Sequence, residues 1–211
     1  MADYALHCFA QSGNAYKPAL MLELCGADWE PRFVDFFHGA VRSPEYTALN
    51  PMAEAPVLEH AGLILSQSGV ILDYLAGTLG RFGPETEEER REILRWTLWD
   101  NHKLTANIAT ARFLANFAPE KARNPDVIAF LTGRWRAAMK VLEAHLKDRE
   151  WIAAPRMTTA DLSCCGYIFY GPEFGFDPAE FPAVAAWAER IRALPGWKHP
   201  YDLMPGHPLP G

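Results

Sequence analysis

The chain has 211 residues, of which 49% are hydrophobic, 12% aromatic and 22% charged. That is ample apolar material for one large packed domain or two small ones, and it excludes a disordered tail protein. Twenty Lys and Arg against 26 Asp and Glu leave a net charge of -6, a balance that argues against nucleic acid or an acidic lipid surface as a partner.

Tyr4 to Phe9 reads as a strand, and Tyr16 to Leu24 as a helix stopped at Gly26. Trp29 to Phe36 is a second strand, and Ser43 to Leu49 a short helix with Pro44 in its first turn. Pro56 to Glu59 and Leu63 to Leu65, separated by His60-Ala61-Gly62, carry a hairpin signal. Val70, Ile71, Tyr74 and Leu75 follow at helical spacing. This order suits a small four-stranded sheet with a right-handed crossover, a thioredoxin-like plan. The stretch Gly80-Arg81-Phe82-Gly83-Pro84 is rich in breakers. Beyond it the periodicity is helical, over about 85–117, 125–147, 159–170 and 180–194. The tail from Gly196 carries four prolines and is no regular helix, with Trp197, Tyr201 and Leu203 expected to pin it.

Charge divides at the same place. Residues 1–80 hold three basic residues, Lys17, Arg32 and Arg42, and nine acidic ones, so the whole net charge of -6 lies there. The expected organisation is an α/β thioredoxin-like domain over 1–80, a linker over 81–88 and an all-helical domain over 89–211. No run approaches the roughly 20 apolar residues of a membrane span, and Met1 to Phe9 has no basic region followed by a long apolar run. A cytoplasmic protein with no membrane partner is expected. Cys8, Cys25, Cys164 and Cys165 are too few and too irregular for a disulfide framework and fit a reducing compartment. Cys164 and Cys165 read as core. The seven histidines lack paired ligand spacing, and no phosphate-binding glycine loop occurs, so neither a metal nor a nucleotide cofactor is expected.

A thioredoxin-like domain that exchanges dithiols places two cysteines where its first strand meets its first helix, because the helix end stabilises a thiolate. Here that stretch is Ser12-Gly13-Asn14-Ala15. Any reacting sulfur must therefore come from a ligand. Ser12-Gly13-Asn14-Ala15-Tyr16-Lys17, Asn50-Pro51-Met52-Ala53-Glu54-Ala55-Pro56-Val57-Leu58, Gln67-Ser68-Gly69-Val70-Ile71-Leu72-Asp73-Tyr74-Leu75 and Thr158-Thr159-Ala160-Asp161-Leu162 together resemble the cytosolic glutathione transferase family. The likeness is to its bacterial, nu-like and theta-like members, in order and over essentially the whole chain.

The resemblance implies glutathione as co-substrate, with a thiol ionised at Ser12 and Asn14 as an auxiliary donor. A hydroxyl at a helix N-terminus supplies both a hydrogen bond and positive potential, and lowering a thiol pKa by about two units takes roughly 2.7 kcal/mol. The bland alternative is that Ser12 only caps its helix. The family's cis proline would be Pro56, after Ala55, with Val57 lending its backbone to the cysteinyl unit. Gln67 and Ser68 would take the γ-glutamyl end at a helix start. Where the family often places His, Gln or Lys toward the glycine carboxylate, this sequence has Val41, Ala53 and Glu54, which leaves Arg42 as the remaining cation. Thr158 and Asp161 fit a capping box with a folding role.

A second-substrate site is expected on the first helix of the helical domain. There Trp99, His102, Thr105 and Ala109 follow at three or four residues and would share one face. The implied activity is conjugation of glutathione to a hydrophobic electrophile. Glutathione-dependent reduction of disulfides or peroxides and a non-catalytic binding role are the alternatives. A homodimer is expected, its contacts around Arg91, Arg95 and Arg134 complementing the acidic first domain.

Overall fold

The computed structural model describes residues 2–209. The described chain divides into two units, one formed by residues 2–83 with 194–209 and the other by residues 84–193. The proline-rich tail thus returns to the first unit, whereas the sequence reading counted it with the helices.

In the first unit the chain runs β1 (Tyr4–Cys8), α1 (Gly13–Cys25), β2 (Trp29–Phe33), α2 (Pro44–Leu49), β3 (Val57–His60), β4 (Leu63–Ser66) and α3 (Ser68–Leu79), with two 3-10 turns at Phe36–His38 and Ala40–Arg42. The sheet order is β2-β1-β3-β4, with β1 parallel to β2 and the other pairings antiparallel. Period-two alternation explains the central strand: Tyr4, Leu6 and Cys8 are buried, while Ala5 and His7 are half-buried on the other face. There His7 pairs with Glu59 at 2.6 Å. The β2 strand stops at Phe33, short of the expected Phe36, because Phe36 begins a 3-10 turn. Helix α1 ends where expected, with Gly26 in the left-handed region at φ 64 and its N–H donating to the Glu23 and Leu22 carbonyls.

The tail crosses this unit as a strap, with one short helix, α10 (Pro200–Leu203). Tyr16 Oη donates to Lys198 O (2.8 Å), and Lys198 Nζ pairs with Glu23 (2.6 Å). The Ala10 N–H donates to Pro205 O (2.7 Å), and the Gln11 side chain clamps the His207 backbone, donating to its O (2.7 Å) and accepting from its N–H (3.1 Å). Leu203 and Met204 are buried. Leu203 is one of the expected pins; Tyr201 and Trp197 are only half-buried.

The second unit holds α4 (Glu87–Trp99), α5 (Ala106–Asn116), α6 (Pro125–Leu146), α7 (Thr159–Cys164), α8 (Gly171–Phe174) and α9 (Pro182–Arg192). Helix α4 starts on Thr86, whose hydroxyl accepts from Glu89 N–H, with Glu87, Glu88 and Glu89 in its first turn. The helix expected over about 85–117 is interrupted by a π turn at Asp100–Thr105. There the fully buried Asp100 accepts hydrogen bonds from Thr105 Oγ1 and Ser163 Oγ, both 2.7 Å, which ties the turn to α7. Asp161, also fully buried, completes the capping box with Thr158. It accepts from Thr158 N–H (2.8 Å), Thr158 Oγ1 (3.1 Å), Ile152 N–H (3.0 Å) and Trp187 Nε1 (3.0 Å). Cys164 and Cys165 are core residues. No helix is long and apolar enough to cross a membrane among the described residues.

Candidate functional site

The first unit gathers polar groups around three backbone features: the start of α1, the loop between α2 and β3, and the start of α3. Ser12 is the N-cap of α1 in extended backbone, 6% exposed, and its Oγ accepts from Ala15 N–H at 3.1 Å. A hydroxyl that accepts one bond still has its own proton to donate. That proton and the free N–H groups of the helix end make the position suited to an anion. Within the same first turn, Asn14 has its Oδ1 buried without a hydrogen-bond partner among the described residues, a condition that buried polar atoms seldom keep without a ligand or water. No cysteine stands here. Cys8, four residues upstream, is buried, and burial pushes its thiol up to about 12, with a hydrogen bond from the Arg32 backbone acting weakly the other way. It is no thiolate source at neutral pH.

The second feature rests on an apolar cluster of Phe9, Val34, Val41, Tyr46 and Val57, against which Ala53 and Ala55 pack. Tyr46 Oη (3.0 Å) and Asn50 Nδ2 (2.8 Å) both donate to Glu54 O, and Asn50 Oδ1 accepts from Met52 N–H (3.1 Å). These bonds fix the loop that leads into the Ala55–Pro56 peptide, which is cis. Val57 then opens β3 opposite His7 and Ser66. The roles of Tyr46 and Asn50 were not anticipated from sequence; the Asn-Pro pair was the only hint of the second.

At the third feature Gln67 precedes α3 with φ 69 and ψ 115, a conformation that costs a non-glycine residue energy. Its Nε2 donates to Glu54 Oε2 and lies 3.0 Å from both that atom and Met52 Sδ, which leaves Oε1 as its remaining polar atom. Ser68 is buried as the first residue of α3. Glu54, considered above at the glycine end, therefore has its carboxylate beside Gln67. Arg42 ends the second 3-10 turn, exposed and without an ion pair among the described residues.

The four residues expected to line a second-substrate face differ in exposure. Trp99 is half-buried, edge-on to Trp96 with ring centroids 5.0 Å apart, and His102 is exposed. Thr105 is buried and its hydroxyl is taken by Asp100, while Ala109 is half-buried in α5. The π turn, with more residues per turn than an α-helix, lies between Trp99 and Ala109 and alters the three-and-four spacing there.

Residues 4–77 match the family model for the glutathione S-transferase N-terminal domain, and residues 106–195 match that for its C-terminal domain. The chain belongs to the glutathione S-transferase family. A crystal structure of a possible glutathione S-transferase from Rhodopseudomonas palustris is 35% identical, covers 94% of this chain and 98% of its own, and superposes with a TM-score of 0.87. A glutathione S-transferase from Pseudomonas fluorescens is 30% identical, with coverage of 95% and 100% and a TM-score of 0.89. The Escherichia coli protein named disulfide-bond oxidoreductase YfcG is 28% identical over 194 residues, 89% of either chain.

Proposed function

We propose that this transferase binds glutathione in its first unit, ionises the thiol at Ser12 and conjugates it to a hydrophobic electrophile. The observation that carries this reading is the Ser12 hydroxyl, which caps α1, accepts from Ala15 N–H and still has a proton to donate at the helix end. Asn14 assists as a second polar contact. Ala55, Pro56 and Val57 supply the backbone against the cysteinyl unit, and Arg42 meets the glycine carboxylate.

Gln67 and Ser68 take the γ-glutamyl group, its carboxylate at the α3 N-terminus. The pairing of Gln67 Nε2 with Glu54 supports a sharper version of this step. The amide oxygen of Gln67, with the negative charge of Glu54 beside it, faces the ligand ammonium. Trp99, His102 and Ala109 remain candidates for contact with the second substrate, and neither a metal nor a nucleotide takes part in this chemistry.

The likeness to a relative named a disulfide-bond oxidoreductase favours a second reading, glutathione-dependent reduction of disulfides. A chain without a thiol at Ser12–Ala15 would run that reaction on the ligand's sulfur. Retention on glutathione-agarose, followed by turnover of a chlorodinitrobenzene-type electrophile and of a mixed disulfide, tests both. Conjugation without disulfide reduction supports the first reading, and the reverse supports the second. A chain that glutathione-agarose does not retain overturns both.

A homodimer fits the apolar side chains left exposed one turn apart on α4, Leu94 and Leu98, at 55% and 61%. Arg134, one of its candidate contacts, already donates to Asn107 of its own chain at 3.1 Å. The dimer reading therefore rests on apolar contact more than on that charge, and light scattering giving the mass of one chain, 23.6 kDa, at micromolar concentration would overturn it.

A further inference from the structure

His207, on the C-terminal strap, has a side chain only 6% exposed, yet neither ring nitrogen makes a hydrogen bond among the described residues. Nε2 is buried without a partner among the described residues, and Nδ1 lies 3.6 Å from Asp35 Oδ1, beyond hydrogen-bond reach. Nε2 is thus an orphaned buried atom, a costly condition, while Nδ1 faces Asp35 with a lone pair available to a ligand. The ring is held in place from every side. Phe37 lies tilted against it with centroids 4.3 Å apart, Phe33 and Phe9 lie at 5.2 and 6.0 Å, and Gln11 clamps its backbone.

In front of it stand Asp35 and His38, from the connection between β2 and α2. His38 Nδ1 is 2.7 Å from Asp35 Oδ1, and one ligand atom from each of Asp35, His38 and His207 lies within 4.8 Å of the others. Tetrahedral coordination with bonds of about 2.0 to 2.1 Å places ligand atoms roughly 3.3 Å apart. The two Asp35 separations, 2.7 and 3.6 Å, bracket that value. Two imidazoles and one carboxylate suit zinc, cobalt or nickel far better than magnesium or calcium, which prefer all-oxygen shells. The His38 side chain is 78% exposed, so the fourth position opens to water.

We propose that Asp35, His38 and His207 bind one divalent ion of the zinc class, as a clasp that fixes the C-terminal strap to the β2–α2 connection. The imidazoles enter as neutral ligands and the carboxylate as an anion, and any proton shared between His38 and Asp35 passes to solvent on binding. None of the three ligands has a role in the glutathione reading. Its consequence is a strap held down over the β1–α1 turn, where Ala10 and Gln11 already bind it.

Co2+ titrated into the full chain without glutathione and followed by visible absorption tests the site. One Co2+ per chain should produce the intense bands of a tetrahedral centre, which Zn2+ displaces and excess Mg2+ does not. His38→Ala, at an exposed position that folding does not need, should weaken binding at least tenfold, and His102→Ala, equally exposed, should leave it unchanged. Zn2+ should also slow exchange of the His207 amide about tenfold in the parent chain and not in His38→Ala. Absence of a saturable site, or binding that His38→Ala and His207→Ala leave intact, would overturn the metal site. Exchange that metal does not slow would overturn the clasp.

Discussion

Gly206→Ala probes the strap with a single methyl group. A Cβ at this position would lie 2.7 Å from Ala10 Cβ and 3.0 Å from Gln11 Oε1. The first neighbour is rigid, being fixed to the turn that follows β1, so the strap must lift rather than the turn give way. Lifting it breaks the Ala10 N–H to Pro205 O bond and both Gln11–His207 bonds. At about 1 kcal/mol net for each hydrogen bond, local closure loses about 3 kcal/mol. Tenfold per 1.4 kcal/mol converts this to roughly a hundredfold in the local opening equilibrium. Because the effect is local, global thermal unfolding should move little. Amide exchange read by mass spectrometry should speed up about a hundredfold at Ala10 and His207 while α6 stays as protected as in the parent. Exchange at both amides within twofold of the parent would refute the reasoning, since it would mean that the methyl is accommodated without displacing the strap.

Asp161→Ala should lower stability by about 3 to 5 kcal/mol, because it orphans the buried N–H donors of Ile152, Thr158 and Trp187 at about 1 to 3 kcal/mol each in a non-additive sum; a melting temperature that falls by less than 2 °C, on the order of 1 kcal/mol or below, would contradict this. Burial raises the Asp161 pKa to about 6, with the hydrogen bonds from Thr158, Ile152 and Trp187 opposing. A folded pKa above the unfolded value means the native state holds the extra proton. That contribution is fully present below about pH 4 and lost as pH rises through about 6. Asp161→Asn cannot titrate, so denaturation profiles of parent and variant should converge over this window, and parallel profiles would refute the shift. Gln67→Gly should relieve the φ of 69, raising stability by about 1 kcal/mol while weakening retention on glutathione-agarose; a destabilised variant in urea titration would show that the backbone there is unstrained.

Much of the fold was legible because local chemistry and fold agree. Alternation in Tyr4–Cys8 marked a half-buried strand, Gly26 marked the end of α1, and Thr158 with Asp161 announced the box that starts α7. The loop into β3 and the start of α3 were legible through Pro56, Gln67 and Ser68, which stand at a cis peptide and at a helix start. What spacing could not carry is register and distance. The apolar stripe through Trp96, Leu104 and Ile108 is continuous in sequence, yet the π turn between them rotates Thr105 inward toward Asp100. A stripe alone does not distinguish a turn with one extra residue. Glu54 was read from its place near Asn50 and Pro51, whereas its side chain turns toward Gln67. His38 and His207 lie near opposite ends of the chain, and only the returning tail brings them together.

The central claim is that Ser12 stabilises a bound thiolate. Ultraviolet titration of the thiolate band of glutathione bound to the parent chain should give an apparent pKa about two units below the roughly 8.5 of a free thiol. Ser12→Ala should return most of that shift, about 2.7 kcal/mol at 1.36 kcal/mol per unit, with a smaller effect on glutathione binding. A Ser12→Ala chain that binds glutathione and titrates like the parent would contradict the account and move the role to Asn14 or to the N–H groups of α1.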